Sequence, residues 1–239
     1  MSNNVKGMHI CIAGSGMGGL ACALSLARQG FTKISVYEYA SNLGFVGAGI
    51  QLAPNMARIL DRLNVWEPIQ KGAVDLKDTS IRQGSTDAEL ANVKLGYVRE
   101  TYGYPHMVGH RSSLAGEMYK GCKEEAASIN FHFSHSVQKV HQWSPKVKFE
   151  VQPREGEAFD VECDVLLAAD GVKSNIRDQM LALLNIDAKV VDSGQAAYRI
   201  MLKREEMEHD PELLELIDAE RATRWIGERR HIIAYPVSN

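Results

Sequence analysis

The sequence predicts an α/β fold built around a parallel β-sheet. Three observations near the start of the chain support this prediction. The apolar run MHICIA at residues 8–13 is typical of a buried strand. It leads into the glycine-rich stretch GSGMGG at residues 14–19 and then into helix-forming residues that stop at Gly30. A second strand-like run, KISVYE at residues 33–38, completes a strand–helix–strand unit whose two strands should run parallel.

The spacing of the glycines predicts a dinucleotide site in a Rossmann-like unit. Gly14 permits a tight turn, Gly16 lets the backbone approach a diphosphate, and Gly19 lets the helix pack closely on the strand. The diphosphate would lie at the helix N-terminus, where free N–H groups favour negative charge. Glu38, 19 residues beyond Gly19, can accept a hydrogen bond from a ribose hydroxyl and would repel a 2′-phosphate. An accidental glycine loop is the alternative, and these residues alone leave NAD and FAD both open.

Composition narrows the class of protein further. The 239 residues carry a net charge of -3, with 45% apolar and 24% charged residues, which is ordinary for a globular chain and gives no basic surface for nucleic acid. No run of about 18 apolar residues predicts a membrane span, and no long apolar leader opens the chain, so we expect a cytoplasmic protein. The four cysteines lack CxxC spacing and are predicted to be reduced core residues.

The middle of the chain continues the alternation of helices and strands. A second glycine-rich loop is expected at residues 44–52 (GFVGAGIQL), followed by a helix at 55–63. Arg111 stands just before a helix for which Ser112 or Ser113 is the predicted cap. Strands are expected at 129–137 and 147–151, joined by a hairpin turn to a further strand pair in residues 159–171. The second strand of that pair is apolar enough to be central in a sheet.

Three further patterns concern histidines, alternating segments and an acidic stretch. His132 and His135 are three apart on a predicted strand, should face opposite sides, and predict no metal site. Residues 72–98, 190–204 and 223–236 alternate like strands, and the last of these resembles a hairpin. The acidic residues 204–220 predict a solvated helix or loop with a break at Asp210-Pro211.

The motifs together resemble one family. GSGMGG with Glu38, GAGIQLAPNMARILDRL, GHRSSL and LLAADGVKSNIR occur in the order seen in single-component FAD-dependent aromatic hydroxylases, in particular salicylate hydroxylase-like enzymes. The resemblance covers nearly the whole chain, and AADGxxSxxR is its most specific part. It implies an FAD-binding domain over residues 1–71 and 99–189, with an incomplete β-sheet substrate domain over 72–98 and 190–239.

The resemblance also implies which residues meet the cofactor. Glu38 would hold the adenosine ribose of FAD, and the Val137 backbone would lie beside the adenine. Asp170 would accept hydrogen bonds near the diphosphate, while Arg177 would be structural or would contribute weakly to the electrostatics of nicotinamide docking. The full set of implied cofactor residues is Gly14, Ser15, Gly16, Met17, Gly19, Glu38, Gly49, Gln51, Arg111, Val137, Asp170 and Gly171.

On the substrate side, the resemblance places Arg199 and Tyr235 where relatives bind or orient a phenolic substrate. An arginine there would favour the phenolate, the electron-rich form that reacts with an oxidant. A surface ion pair for Arg199 and simple packing for Tyr235 are the alternatives. The implied reaction uses NADH or NADPH to reduce FAD, and O₂ then hydroxylates an aromatic acid such as salicylate.

The chain departs from the family in one respect. These enzymes normally continue to a third cofactor motif built around Gly-Asp, and no Gly-Asp dipeptide occurs here. We therefore expect an N-terminal portion of a longer hydroxylase, with possible self-association through an unpaired sheet edge. A non-catalytic nucleotide-binding or interaction protein derived from the fold, and a nicotinamide-only dehydrogenase, are the alternatives.

Overall fold

The structure, a computed structural model, describes residues 5–44 and 48–238. Fourteen strands and seven α-helices are assigned within these residues. In the first half they are β1 (His9–Ala13), α1 (Met17–Arg28), β2 (Lys33–Glu38), β3 (Gly49–Leu52), α2 (Pro54–Arg62), α3 (Trp66–Lys71), β4 (Val74–Asp75), β5 (Asp78–Gln83), β6 (Glu89–Lys94), α4 (Tyr97–Tyr102), β7 (Met107–His110) and α5 (Arg111–Glu124). The second half contains β8 (Ile129–Phe133), β9 (His135–Gln142), β10 (Val147–Pro153), β11 (Phe159–Cys163), β12 (Val165–Ala168), α6 (Asn175–Leu183), α7 (Pro211–Asp218), β13 (Arg221–Gly227) and β14 (Arg230–Ala234).

The chain forms two compact units, and each unit contains two separate stretches of sequence. The first unit comprises residues 1–44 and 118–197, and the second comprises 45–117 and 198–239. These boundaries differ from those of the two predicted domains, because residues 48–71 and 99–117 belong to the second unit. The assignment of residues 1–71 and 99–189 to FAD binding stays a prediction.

The first unit is built on a four-stranded parallel sheet in the order β12-β1-β2-β8. Ile10 pairs with both Val165 and Ile34, so β1 is central in this sheet. The α1 helix connects β1 to β2 and buries Leu20 and Leu24, which confirms the predicted strand–helix–strand unit. The prediction that the apolar strand β12 is central is wrong, because among the described strands only β1 pairs with it.

A three-stranded antiparallel sheet, β11-β10-β9, completes the first unit. Phe149 and Val151 of β10 are fully buried and share a core cluster with Tyr37 of β2, so the two sheets pack around common apolar side chains. The strand predicted at 129–137 is divided in two. Ser134, with φ of 59°, breaks it, and β8 and β9 join different sheets.

The second unit contains two sheets, in the orders β14-β13-β5-β6 and β3-β7-β4. The predicted hairpin near residue 225 is confirmed, since β13 pairs antiparallel with β14. The strand-like reading of residues 190–204 is wrong: 190–203 form neither helix nor strand, and Tyr198 is 99% exposed. Alternation alone does not make a strand, because a strand also needs a neighbour to receive its backbone hydrogen bonds.

Three local predictions need correction. The α5 helix begins at Arg111 itself, so Ser112 and Ser113 lie inside its first turn and neither can be the cap. Residues 49–52 of the expected second glycine-rich loop form strand β3, which pairs antiparallel with β7, while residues 45–47 lie outside the described part. Cys22 is exposed on α1, whereas the other three cysteines are buried as predicted.

Within the described residues, no helix is long and apolar enough to cross a bilayer.

An ion cluster ties β5, β6 and β13 of the second unit together. The Asp78 side chain is only 8% exposed and accepts hydrogen bonds from Arg221 Nη2 (3.2 Å) and Lys94 Nζ (3.1 Å). The hydrogen bond from Arg221 lowers the pKa of Asp78, although burial opposes this effect. A buried carboxylate paired in this way is costly to disrupt, since removing it takes away the hydrogen-bond acceptor of Arg221.

We expect Asp78→Asn to lower the free energy of unfolding by about 3 kcal/mol. Because the pKa of the folded-state carboxyl lies below its unfolded value, this contribution is present above about pH 4 and is lost as the pH falls through the lower folded-state pKa. Urea unfolding at several pH values measures both effects. Asp218→Asn is the matched control, because the Arg204–Asp218 pair is half exposed and should change little. Equal losses in the two variants would contradict the role given to the Asp78 cluster.

Candidate functional site: a cleft at the carboxyl ends of the parallel strands

The turn between β1 and α1 requires glycine at two positions for reasons internal to the protein. Gly14 has φ of +94°, and a Cβ there would lie 2.5 Å from the carbonyl oxygen of Ala169. A Cβ on Gly19 would overlap the carbonyl oxygen of Gly14. The predicted roles of Gly14 in the tight turn and of Gly19 in close packing therefore have a direct steric basis.

Gly16 differs from these two glycines. Its φ of -63° and ψ of 178° suit any residue, and a Cβ there would meet nothing within 4 Å. No contact among the described residues therefore explains a glycine at this position. The adjoining N-terminus of α1 has no side-chain cap and no acidic residue in its first turn in the described structure. Free N–H groups beside an open glycine suit the close approach of an anion such as a diphosphate.

The carboxylate of Glu38 is held in place at the end of β2. Its Oε2 accepts hydrogen bonds from the backbone N–H and the hydroxyl of Ser15, both at 2.8 Å. Its Oε1 accepts one from the backbone N–H of Ala40, also at 2.8 Å. Glu38, whose spacing from the glycines predicts a contact with a ribose, therefore has a fixed side-chain orientation.

The stretch LLAADGVKSNIR forms strand β12, a sharp turn and the start of α6. Gly171 makes the turn with φ of +87°, and Ser174 caps α6 by accepting a hydrogen bond from the N–H of Arg177 at 3.0 Å. The guanidinium of Arg177 donates to the carbonyl oxygen of Val172 at 3.0 Å, so this arginine stabilises the turn.

Asp170, in the same stretch, has one carboxylate oxygen that is bonded and one that is free among the described residues. Its Oδ2 accepts a hydrogen bond from the N–H of Ile176 at 3.3 Å. Asp170 Oδ1 is buried and has no hydrogen-bond partner among the described residues, so an acceptor remains for a ligand.

These pieces line one cleft of about 310 Å³ in the first unit. Parallel strands place their carboxyl ends at one edge of the sheet, which is where open α/β sheets bind ligands. Six of the predicted cofactor residues line the cleft: Gly14, Gly16, Glu38, Val137, Asp170 and Gly171. Its lining also includes Tyr37, Tyr39, His135 and Ser136, which were not predicted as site residues. The position of Tyr39 directly after β2 was the available signal for that residue, since it puts the side chain at the ligand-binding edge.

An aromatic stack supports one wall of the cleft. His132 stacks on Tyr37 with ring centroids 4.7 Å apart, and His135 packs edge-on against His132 at 5.9 Å. The prediction that the two histidines face opposite sides is wrong, because the break at Ser134 turns the chain between them. Burial, together with the neighbouring His135, lowers the pKa of His132, and burial raises the pKa of Tyr37 to about 12. Tyr37 and His132 therefore carry no charge near pH 7. The described residues contain no group of three side chains suited to a metal ion.

Five of the other predicted site residues, Gly49, Gln51, Arg111, Arg199 and Tyr235, belong to the second unit. Gly49 and Gln51 lie on β3 and pair with β7, and the N–H of Arg111 donates to the carbonyl oxygen of Ala48 at 2.9 Å. The ring of Tyr235 occupies the space beside Gly49, where a Cβ would overlap it. Arg199 lies in the exposed segment without regular structure. Of the remaining residues of the first unit, Met17 opens α1, and Ser15 is 1% exposed and turned towards Glu38.

Comparison with known proteins agrees with this geometry. A family model described as "FAD binding domain" matches residues 7–223, which is most of the chain. The chain belongs to this FAD binding domain family. The predicted resemblance to FAD-dependent aromatic hydroxylases is thereby confirmed at the level of the family. The glycine motif left NAD and FAD both open, and the family match identifies FAD as the cofactor. The open Gly16, the free start of α1, the fixed Glu38 and the unpaired Asp170 Oδ1 all fit such a dinucleotide.

Two curated relatives of this FAD-binding chain carry closely related names. It is 36% identical over 235 residues to 3-hydroxybenzoate 6-hydroxylase 1 of Aquipseudomonas alcaligenes, covering 96% of this chain and 54% of that protein. It is 31% identical over 238 residues to 3-hydroxybenzoate 6-hydroxylase of Polaromonas naphthalenivorans, covering 99% of this chain and 55% of the relative. The chain thus spans about half the length of the curated relatives it matches.

A solved structure confirms the predicted fold class. HpxO of Klebsiella pneumoniae, solved with FAD and uric acid, superposes with a TM-score of 0.72 at 19% identity, over 100% of this chain and 56% of that one. At this identity the likeness concerns the fold alone. The α/β fold with a parallel sheet and additional sheets is therefore confirmed for this FAD-binding chain.

Proposed function

We propose that the chain provides the dinucleotide-binding part of an FAD-dependent monooxygenase that uses NADH or NADPH and O₂ to hydroxylate a phenolic or aromatic acid. The observation that carries this proposal is the cleft at the carboxyl ends of β1, β2 and β12, where Gly16, Glu38 and Asp170 meet. The relatives named as hydroxybenzoate hydroxylases support the class of reaction.

Each part of the cleft suits one part of the cofactor. The start of α1 beside Gly16 would receive the diphosphate, and Glu38 would accept a hydrogen bond from a ribose hydroxyl. Asp170 would contribute its free Oδ1, and the backbone at Val137 would border the adenine. FAD, when bound, supplies electron transfer from the nicotinamide and the activation of O₂. The residues of the chain would bind and orient this cofactor.

The names of the relatives support one class of substrate. The two relatives above are named for 3-hydroxybenzoate, an isomer of the salicylate that the resemblance implies, so a hydroxybenzoate is the substrate class we propose. We keep Arg199 as the candidate that favours a phenolate and Tyr235 as the candidate that orients the ring. Tyr235 packs with Val74, Leu76 and Val108, which favours the packing alternative for this residue. A cytoplasmic location stays a prediction.

The first test is the visible absorption spectrum of the purified chain, before and after addition of FAD and removal of the excess. We expect flavin bands that stay with the protein. Oxidation of NADH and NADPH is then measured with and without salicylate and 3-hydroxybenzoate, and the aromatic product is identified by mass. A chain that stays colourless contradicts the proposal that these residues hold FAD.

The other outcomes separate the alternatives. Retained flavin without substrate-dependent oxidation of NAD(P)H would favour a non-catalytic FAD-binding or interaction protein derived from this fold. Absent flavin with measurable affinity for NAD would favour a nicotinamide-only dehydrogenase. Neither alternative has a specific observation in its favour within the cleft.

We expect Glu38→Gln to raise the Kd for FAD by about 10- to 100-fold. The amide is uncharged and has only one acceptor oxygen, which the N–H groups of Ser15 or Ala40 occupy, so the ribose hydroxyl loses a hydrogen bond to a charged group worth about 1.5–3 kcal/mol. Quenching of flavin fluorescence measures the Kd. Glu162→Gln is the matched control, because that side chain is half exposed on β11 in a surface pair with Lys148. An unchanged Kd for Glu38→Gln would refute the ribose contact.

We also propose that the outer edge of β14 mediates self-association. This strand ends the sheet order of the second unit and exposes Ile232 by 68%. An unpaired edge with exposed apolar side chains is a template for another strand. Light scattering should show dimers or larger species, and Ile232→Lys should shift them to monomers. Ile59→Lys, at a 55% exposed position on α2, should have no such effect. A wild-type chain that is purely monomeric contradicts the proposal.

A further inference from the structure

Ser15 lies between the first two glycines of the turn and is almost fully buried. Only 1% of its surface is exposed, and it is one of few buried polar residues in the described chain. Both of its hydrogen-bond donors, the backbone N–H and the hydroxyl, are directed to the same atom, Glu38 Oε2, at 2.8 Å. Neither donor is left for a bound molecule. Ser15 therefore has no free donor for a direct contact with the cofactor.

The same bonds determine what Glu38 can still do. An ionised carboxylate has about four acceptor sites, two on each oxygen. Ser15 occupies both sites on Oε2, and the N–H of Ala40 occupies one on Oε1. One acceptor site on Oε1 remains. The carboxylate presents this site in a single orientation, because three donors from two separate segments hold it.

A fixed carboxylate with one free acceptor site is selective for a hydroxyl donor. It accepts a hydrogen bond from a ribose hydroxyl at little cost in side-chain entropy, since its rotamer is already set. It gains nothing from a 2′-deoxyribose, which lacks the donor, and it repels a 2′-phosphate. The selectivity of the site thus depends on the group that holds Glu38, and that group is chiefly Ser15.

We propose that Ser15 is a positioning residue that determines ribose selectivity through Glu38. This inference rests on the proposed dinucleotide function of the cleft and deepens it. Because Ser15 has no donor free for the ligand, removal of its hydroxyl should weaken only the recognition of the 2′-hydroxyl. The diphosphate and adenine contacts should be unaffected.

The test compares ADP with 2′-deoxy-ADP by isothermal titration calorimetry, on the wild-type chain and on Ser15→Ala. We expect the wild type to prefer ADP by about 10-fold, as one hydrogen bond to a charged group predicts. In Ser15→Ala the preference should fall to about 2-fold, with the affinity for 2′-deoxy-ADP nearly unchanged. Ser80→Ala removes another buried hydroxyl, in the second unit, and should leave both affinities unchanged.

The outcomes distinguish this inference from the proposed function. Equal weakening of both ligands in Ser15→Ala would mean that Ser15 only supports the turn, and would overturn the inference alone. An unchanged preference for ADP would also overturn it alone. A wild-type chain that binds neither ADP nor FAD would overturn the proposed function and the inference with it. Thermal unfolding of each variant confirms that the comparison is made on folded protein.

Discussion

Replacement of Gly16 by alanine should abolish FAD binding and leave the fold intact. An alanine adopts the φ of -63° at this position without strain, and its Cβ would meet no atom of the protein within 4 Å. We therefore expect the free energy of unfolding to change by less than about 0.5 kcal/mol, as for a surface substitution. The new methyl group would instead occupy the space at the start of α1 that a diphosphate needs.

The expected loss of affinity is large because the diphosphate cannot shift away from the helix N-terminus without losing several N–H contacts at once. Hydrogen bonds to charged groups contribute about 1.5–3 kcal/mol each, so the loss of two such bonds raises the Kd for FAD by more than about 100-fold. Flavin absorbance after gel filtration, together with thermal unfolding, measures both quantities. Gly18→Ala is the matched control for stability, since a Cβ there also meets nothing. Full binding of FAD by Gly16→Ala would refute the position given to the diphosphate.

Replacement of Gly14 by alanine should instead lower the free energy of unfolding. The backbone at Gly14 has φ of +94°, which costs an L-residue about 1–2 kcal/mol. The added Cβ would also lie 2.5 Å from the carbonyl oxygen of Ala169, and such overpacking costs roughly 1–3 kcal/mol. The clash is with backbone next to the pairing of β1 with β12, where the N–H of Ala169 donates to the carbonyl oxygen of Ala13 at 2.8 Å, so this neighbour cannot relax cheaply.

The two terms together predict a loss of about 2–5 kcal/mol in the free energy of unfolding, which is a large share of the stability of an ordinary domain. Urea unfolding of the free protein measures this loss in the absence of any cofactor. Gly18→Ala should be neutral, or more stable by up to about 1 kcal/mol, because alanine is the better helix former. Gly14→Ala and Gly18→Ala variants of equal stability would contradict the steric account of the turn.

The glycine motif predicted a dinucleotide-binding turn, but it could not show which of its glycines are required by contacts within the protein. The spacing of the glycines predicted all three roles together. Only the coordinates show that Gly14 and Gly19 are required by protein contacts, whereas nothing in the described protein requires Gly16. Ser15 illustrates the same limit, since its place inside the motif suggested a ligand contact while its donors are directed to Glu38.

The failed predictions share a physical cause. Alternation predicted a strand at residues 190–204 and one strand across 129–137, but pairing partners and the left-handed Ser134 decide where strands exist. The division of the strand predicted at 129–137 into β8 and β9 brought His132 and His135 together, whereas the alternating pattern had placed them on opposite faces. The apolar composition of β12 indicated burial, which is a property of side chains and does not fix a strand's place in the sheet order.

The strand–turn–helix–strand unit over residues 9–38 follows from local sequence alone, because the conformations that glycine permits and the helix propensities act within a few residues. The distant residues that join this unit depend on the tertiary structure. The parallel pairing of β12 with β1 brings Asp170 to Gly14, and the course of the chain after β8 brings Val137 and His135 to the same cleft. No local pattern contains this information, since it depends on the order and register of strands more than 100 residues apart.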